Sequence, residues 1–193
     1  MNNPETFRKS MERKLGQQAK VLWLTGLPCS GKTTLGLGLE SLLLEKGFTV
    51  RMLDGDITRR GLCSDLGFSA ADRTENIRRV AEVSRLLADS GIITINAFIT
   101  PTDDLRQMAA DIIGKDTFIS IYIDAPLHIC EERDVKGMYR KARLGQLPDF
   151  TGVSSPFYPP ANSDFTINTA ESTPDQNIQE LLRFILPKIN FIP

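Results

Sequence analysis

The chain has 193 residues, 41% apolar and 24% charged, a balance ordinary for one globular domain with a full core. The formal net charge of −1 gives no reason to expect nucleic acid or an anionic membrane as partner, so any basic surface must be local. No run of 18 apolar residues occurs, and Met1 to Lys20 lacks the apolar stretch of a secretory signal, so the expected setting is a reducing cytoplasm.

Residues 1–18 read as a polar, partly helical arm in which Phe7, Met11 and Leu15 recur at spacing four. That stripe fits docking on the body, docking on a second subunit, or no fixed structure. Residues 19–193 read as a single domain. Val21, Leu22, Trp23, Leu24 and Thr25 suit a buried strand. They lead into Gly26-Leu27-Pro28-Cys29-Ser30-Gly31-Lys32-Thr33, which fits G-x-x-x-x-G-K-[ST] and is followed by Thr34. The pattern has a physical reason. Gly26 and Gly31 let the backbone wrap a phosphate with N–H groups inward, and the helix beginning near Lys32 adds its positive dipole end. Lys32 can reach terminal phosphates, and Thr33 can offer its hydroxyl to Mg²⁺. The loop predicts a nucleoside triphosphate as ligand and leaves the acceptor open.

Thr33 to Lys46 reads as a helix with Leu35, Leu39, Leu42 and Leu43 on one face, ended by Gly47. Phe48 to Leu53 reads as a strand delivering Asp54-Gly55-Asp56 to the sheet edge where ligands bind in open α/β proteins. One acid there suits Mg²⁺ or its waters, and the other suits accepting a proton from an attacking hydroxyl. Ser69 opens a long helix to about Asp89 with a buried stripe from Ile77 to Leu87. Two or three of Arg59, Arg60, Arg73, Arg78 and Arg79 are expected to face the ligand, because guanidinium forks match phosphate and sulfate oxygens. The competing reading for any one of them is a surface ion pair, such as Arg79 with Glu75 or Glu82.

Ile92 to Phe98 is the third expected strand, and Pro101 is expected to open a helix running to about Ile113. Thr117 to Asp124 is a fourth strand of central parallel type, followed by a helix from Ala125-Pro126 to about Glu132. Arg133 to Pro160 is basic, rich in glycine, proline and aromatics, and weakly periodic. Such a segment reads as a lid, with Phe150 and Phe157 available to stack on a base. Asp164 to Asn168 and Pro174 to about Leu186 complete the pattern as strand and helix. The alternation predicts a three-layer α/β/α fold around a parallel sheet of about five strands, of P-loop kinase type. Cys29, Cys63 and Cys130 are too widely spaced for a metal site or disulfide framework. Cys130 reads as a small buried hydrophobe, and Cys29 is placed where oxidation is chemically open.

Several stretches together resemble adenylylsulfate (APS) kinase, which phosphorylates the 3′-hydroxyl of APS to give PAPS. They are GLPCSGKTT at 26–34, LDGD at 53–56, DLGFSAADRTENIRRVAEV at 65–83, AFITP at 97–101, DAPLHICEERDVKGMYRKARLG at 124–145 and DFTGVSSPF at 149–157. The resemblance implies ATP and Mg²⁺ as cofactors, APS as substrate, and a homodimer. It places the ATP phosphates on Gly26 to Thr34, with Arg133 and Ser172 on the ATP side and Thr33 with Asp54 at the metal. Asp56 matches the acid that assists deprotonation of the 3′-hydroxyl. Arg59, Arg73 and Asn76 match positions that grip the sulfate–phosphate end of APS, Phe68 and Phe150 the aromatics that sandwich its adenine, and Ile99, Thr100 and Lys136 further APS-site positions. Thr100 stands where the family has a serine often described as a phosphoserine, although direct in-line transfer needs no such intermediate.

The chain departs from the family pattern at Ile57 and Cys63, where asparagines are usual, at Thr102-Asp103, and at Phe157-Tyr158. None removes a catalytic part, and together they leave a different nucleotide-like acceptor as an alternative. A non-catalytic nucleotide-binding module is a further one, opposed by the intact Lys32, Thr33, Asp54 and Asp56. No N-K-x-D guanine motif and no L-S-G-G-Q signature is present.

Overall fold

The computed structural model of the chain describes residues 4–191. In chain order the first half runs α1 (Pro4–Leu15), β1 (Val21–Thr25), α2 (Lys32–Glu45), β2 (Val50–Asp54), α3 (Gly55–Thr58), α4 (Ala70–Asp89) and β3 (Ile93–Ala97). The second half runs α5 (Asp103–Ile113), β4 (Phe118–Asp124), α6 (Leu127–Arg133), α7 (Met138–Arg143), β5 (Phe165–Asn168) and α8 (Pro174–Ile189). The five strands form one parallel sheet in the order β2-β3-β1-β4-β5.

The central strand β1 is buried along its whole length, which is why its sequence is apolar from Val21 to Leu24, and the buried Thr25 that ends it bonds to Ile99 O. Its side chains alternate between two cores. Leu22 and Leu24 join Leu35, Leu39 and Leu43 of α2 and Leu181, Leu182 and Ile185 of α8. Val21 and Trp23 join Ile77 and Val80 of α4 and Ala109 and Ile113 of α5. Both faces of the sheet are therefore covered, and the carboxyl ends of β1, β2, β3 and β4 open onto one edge.

Several boundaries differ from the sequence expectation, each for a local reason. Phe48 does not begin β2, because its N–H donates to Leu43 O and closes the end of α2. Pro101 does not open α5. That helix starts at Asp103 behind the cap Thr102, and the Pro101 carbonyl accepts from Tyr158 N instead. The segment 133–160 is not wholly irregular. The Asp134 carboxylate accepts from Tyr139 N and Arg140 N, both at 3.0 Å, and this cap starts α7. A short helix, α3, was not anticipated, and it is capped by Asp54, whose side chain accepts from Asp56 N.

Among the alternatives for residues 1–18, α1 lies on the body. Arg8 donates to Thr117 Oγ1 and Ala19 O, and Met11 and Leu15 lie against Gly91, while Phe7 stays half exposed. Gln17 is fully buried and donates to Thr49 O (2.9 Å) and Gly91 O (2.7 Å) while accepting from Thr49 N (2.7 Å). No helix among the described residues is long and apolar enough to cross a membrane.

Gln17 thus joins three segments through one amide. Gln17→Met keeps the volume and strands these buried groups, so it is expected to cost about 3 kcal/mol. Urea unfolding should show a lower midpoint at unchanged m; an unchanged midpoint would mean that water replaces the amide.

Candidate active site

The phosphate loop runs from the end of β1 to the first turn of α2, and its outward carbonyls are all taken. Lys32 Nζ donates to Gly26 O (2.9 Å) and Leu27 O (2.7 Å). Tyr139 Oη donates to Pro28 O at 3.0 Å. Arg133 Nη1 reaches Cys29 O and Ser30 O, and Thr169 Oγ1 donates to Ser30 O at 2.8 Å. Gly26 N and Ser30 N donate to Ile99 O and Leu27 O, and the remaining loop N–H groups are left for a ligand, joined by the first-turn N–H groups of α2 that have no intrahelical acceptor. The two glycines are required sterically. A Cβ on Gly26 would lie 2.5 Å from Ile123 O, and Gly31 has φ +106 at the helix cap.

Burial pushes the Lys32 ammonium down to about 8, the first and largest cause being desolvation, opposed by nearby Cys130, Cys29, Asp54 and Asp56. Across the loop, Thr33 Oγ1 donates to Asp54 Oδ2 at 2.8 Å, while Asp54 Oδ1 accepts from Asp56 N at 2.9 Å. Asp54 is buried and fixed by two bonds; Asp56 is exposed and ion-paired with Lys136 of the segment after α6. That pair raises the Lys136 ammonium above its ordinary value, and being exposed it is weak and readily exchanged for a ligand.

On the far side of Asp56, Arg59 lies over the Phe68 ring, 4.4 Å from its centroid, and donates to Gly67 O and Leu66 O. Phe68 is 62% exposed, a large aromatic face turned to solvent. Arg73 holds three points: Phe68 O, Thr151 Oγ1 and Asp149 O. Phe150, between the last two, packs edge-on against Tyr139. Asn76 is buried, and its Oδ1 has no partner among the described residues; Ser30 Oγ is in the same condition. Such atoms suit a polar ligand.

Other expected residues take different places. Arg78 and Arg79 are held by Glu75, and Arg79 also by Asp65, so these two follow the ion-pair reading. Phe157 stacks on Tyr122, and the two line a cavity beside Leu27. Ile99 offers its carbonyl to Thr25 Oγ1 and Gly26 N. Thr100 is 1% exposed with φ +44, and its hydroxyl accepts from Trp23 Nε1 at 2.9 Å, so that oxygen is a structural acceptor in this conformation. Arg133 braces the loop through Thr169, Leu27, Pro28 and Cys29 are half-buried parts of the loop, Thr34 is exposed on α2, and Ser172 lies exposed just before the cap of α8. Sequence reading missed Thr169 and Tyr139 as partners of the phosphate loop and Trp23 as the partner of Thr100, and no spacing signal marks them.

The sequence profile of the family described as adenylylsulphate kinase matches residues 18–168. An adenylyl-sulfate kinase of Bacteroides thetaiotaomicron is 50% identical over 182 residues, covering 94% of this chain and 90% of the relative. One of Clostridium acetobutylicum is 47% identical over 178 residues, covering 92% and 88%. Among solved structures, the Mycobacterium tuberculosis APS kinase CysC in complex with AMPPNP and APS superposes with a TM-score of 0.83 at 41% identity, covering 87% of this chain and 98% of that one.

The buried Lys32 makes a signed prediction for stability. With a folded value of about 8 against 10.5 for the ordinary side chain, the ammonium's burial cost, about 3 kcal/mol, is fully carried below pH 8. Between the two values the unfolded chain binds the proton that the folded one has shed, so stability rises with pH and the cost is gone above about 10.5. Apart from a constant cost of stranding Gly26 O and Leu27 O, the stability of Lys32→Met relative to wild type should therefore be highest at pH 7 and fall toward pH 10. A gap that does not change with pH would show that the ammonium is not desolvated.

Proposed function

The chain belongs to the adenylylsulfate kinase family, and from that premise we propose that it transfers the γ-phosphoryl group of ATP to the 3′-hydroxyl of APS, giving PAPS and ADP in sulfate activation. The observation that carries the reading is the meeting of two half-sites at Asp54-Gly55-Asp56. A phosphate loop with its carbonyls pinned outward lies on one side, and an exposed aromatic with two arginines lies on the other.

The donor side falls to Gly26 to Thr34, with Arg133 and Ser172 beside it. Lys32 exchanges its two loop carbonyls for phosphate oxygens, and its charge offsets the charge of the transferring group. Thr33 Oγ1 and Asp54 Oδ2 are hard oxygen donors 2.8 Å apart, and they fit Mg²⁺ shared with phosphates. Bound there, the ion neutralises charge on the phosphates.

The acceptor side falls to Arg59, Arg73 and Asn76 for the sulfate–phosphate group, to Phe68 and Phe150 for the adenine, and to Ile99, Thr100 and Lys136 around it. Asp56 exchanges Lys136 for the 3′-hydroxyl and takes its proton as the hydroxyl oxygen bonds to the γ-phosphorus. The bond from that phosphorus to the bridging oxygen breaks, and the electron pair leaves with ADP. In the same proposal residues 133–160 act as a lid, residues 1–18 are an arm on a single kinase domain, and the protein works in the cytoplasm as a homodimer.

With Mg·ATP, release of ADP should depend on APS and yield PAPS. Lys32→Ala should abolish turnover, and Asp56→Asn should lower kcat by about 10² or more. ADP release indifferent to APS would sink the reading, and another nucleotide outcompeting APS would reassign the acceptor. Because phosphates favour the charged form of Lys32, ATP affinity should be level below pH 8 and fall above it, with proton uptake on binding near pH 8–9. Calorimetry in buffers of differing ionisation enthalpy reads this, and affinity constant to pH 9.5 would contradict it.

A further inference from the structure

One charged side chain outside the site described so far is buried without serving either core. Arg106, on the first turns of α5, is 6% exposed. An ornamental pair with Asp103 at spacing three would leave the guanidinium in water. Here Nε and Nη2 donate to Asp103 Oδ1 (3.0 and 2.8 Å), while Nη1 donates to Thr100 O (2.7 Å) and Nη2 also to Tyr158 O (2.8 Å). The stretch from Thr100 to Arg106 is thus joined to Tyr158, 52 residues on, by one planar group, a task that suits the arginine fork.

The two carbonyls it holds belong to segments on which the acceptor side depends. Thr100 lies in the loop after β3, beside Ile99, whose carbonyl accepts from Gly26 N of the phosphate loop. The left-handed backbone of Thr100, φ +44, is costly for a β-branched residue and persists only if surroundings fix it. Trp23 holds the hydroxyl of Thr100 and Thr25 and Arg106 its carbonyl. Tyr158 is where the segment 133–160 returns to the body, and its N–H donates to Pro101 O at 2.9 Å, reciprocating the arginine bond.

Between Asp149 and Tyr158 the chain is a closed turn: Val153 N, Ser154 N and Ser155 N all point to Phe150 O, and Gly152 N donates to Ser155 O. Arg73 pins its near end at Asp149 O and Thr151 Oγ1. Arg106 pins its far end. The ring of Phe150 therefore hangs on a small stiff loop held by two arginines, of which only Arg73 touches the proposed acceptor site.

We propose that Arg106 is a positioning residue for the acceptor: by clamping Tyr158 to the Thr100 loop it fixes the turn that carries Phe150, without touching either substrate. This rests on the functional reading above. Losing the clamp leaves the far end of the turn on the Tyr158 N to Pro101 O bond and the Phe157–Tyr122 stack alone, so the adenine face of Phe150 and the grip of Arg73 on Asp149 loosen, while the phosphate loop keeps its own bonds from Lys32, Tyr139 and Thr169.

The test combines kinetics with amide hydrogen exchange on the full chain, wild type and Arg106→Gln. The expected result is a KM for APS raised about tenfold, a KM for ATP changed less than twofold, and faster exchange over residues 150–158 with β4 unchanged. Arg106→Lys keeps the charge beside Asp103 but cannot span both carbonyls, so it should reproduce the APS defect. This variant also serves if Arg106→Gln does not fold. Equal rises in both KM values, or unchanged APS kinetics with unchanged exchange in a folded variant, would overturn the proposal and leave Arg106 a fold residue. Failure of the wild type to use APS would instead overturn the functional reading, and the exchange comparison would still decide whether Arg106 anchors the turn.

Discussion

A phosphate-binding loop must point its N–H groups at one centre, and its carbonyls then have to go somewhere. In this protein the five carbonyls from Gly26 to Ser30 share four donor side chains, drawn from α2, from α7, from the end of α6 and from the residue after β5. The sheet order is what brings them together, since β4 lies next to β1 and β5 next to β4, and the segments after them deliver Arg133 and Thr169 to the loop. The loop is therefore a property of the whole second half of the chain, although its motif is only eight residues long.

The donor and acceptor halves differ in kind. Around the loop the contacts are buried and multiply satisfied, as expected for a part that must not relax before the phosphates arrive. At Asp56 itself the contact is exposed and single, Lys136 alone, whereas Arg59 and Arg73 are each held at several points. A contact of the first sort costs little to exchange, so Asp56 can trade Lys136 for a ligand while the rest of the site stays in place.

What could be read from the sequence follows the same division. The loop, the apolar strand before it and the acid pair after β2 were legible because each is a contiguous pattern with a local physical cause. The five parallel strands were legible because buried strands leave apolar runs between helical periods. Thr169 and Tyr139 were not, because their partners lie 139 and 111 residues away and neither carries a pattern of its own. The helix α7 hid behind glycines and charges until the capping role of Asp134 was seen, and the fates of Arg59, Arg73, Arg78 and Arg79 could not be separated by type. Only the positions of Glu75 and Asp65 in space decide that the last two are spent on ion pairs.

The buried Gln17 has a topological corollary. It binds backbone just ahead of β2 and β3, and it bridges to Asn190, so the stretch entering β1 and the end of α8 meet at the edge of the sheet opposite the phosphate loop. A strand of five residues separates the two edges by about 17 Å. Gln17 and Asn190 are thus tied together behind the molecule, and that tie leaves the mouth of the phosphate loop uncrossed.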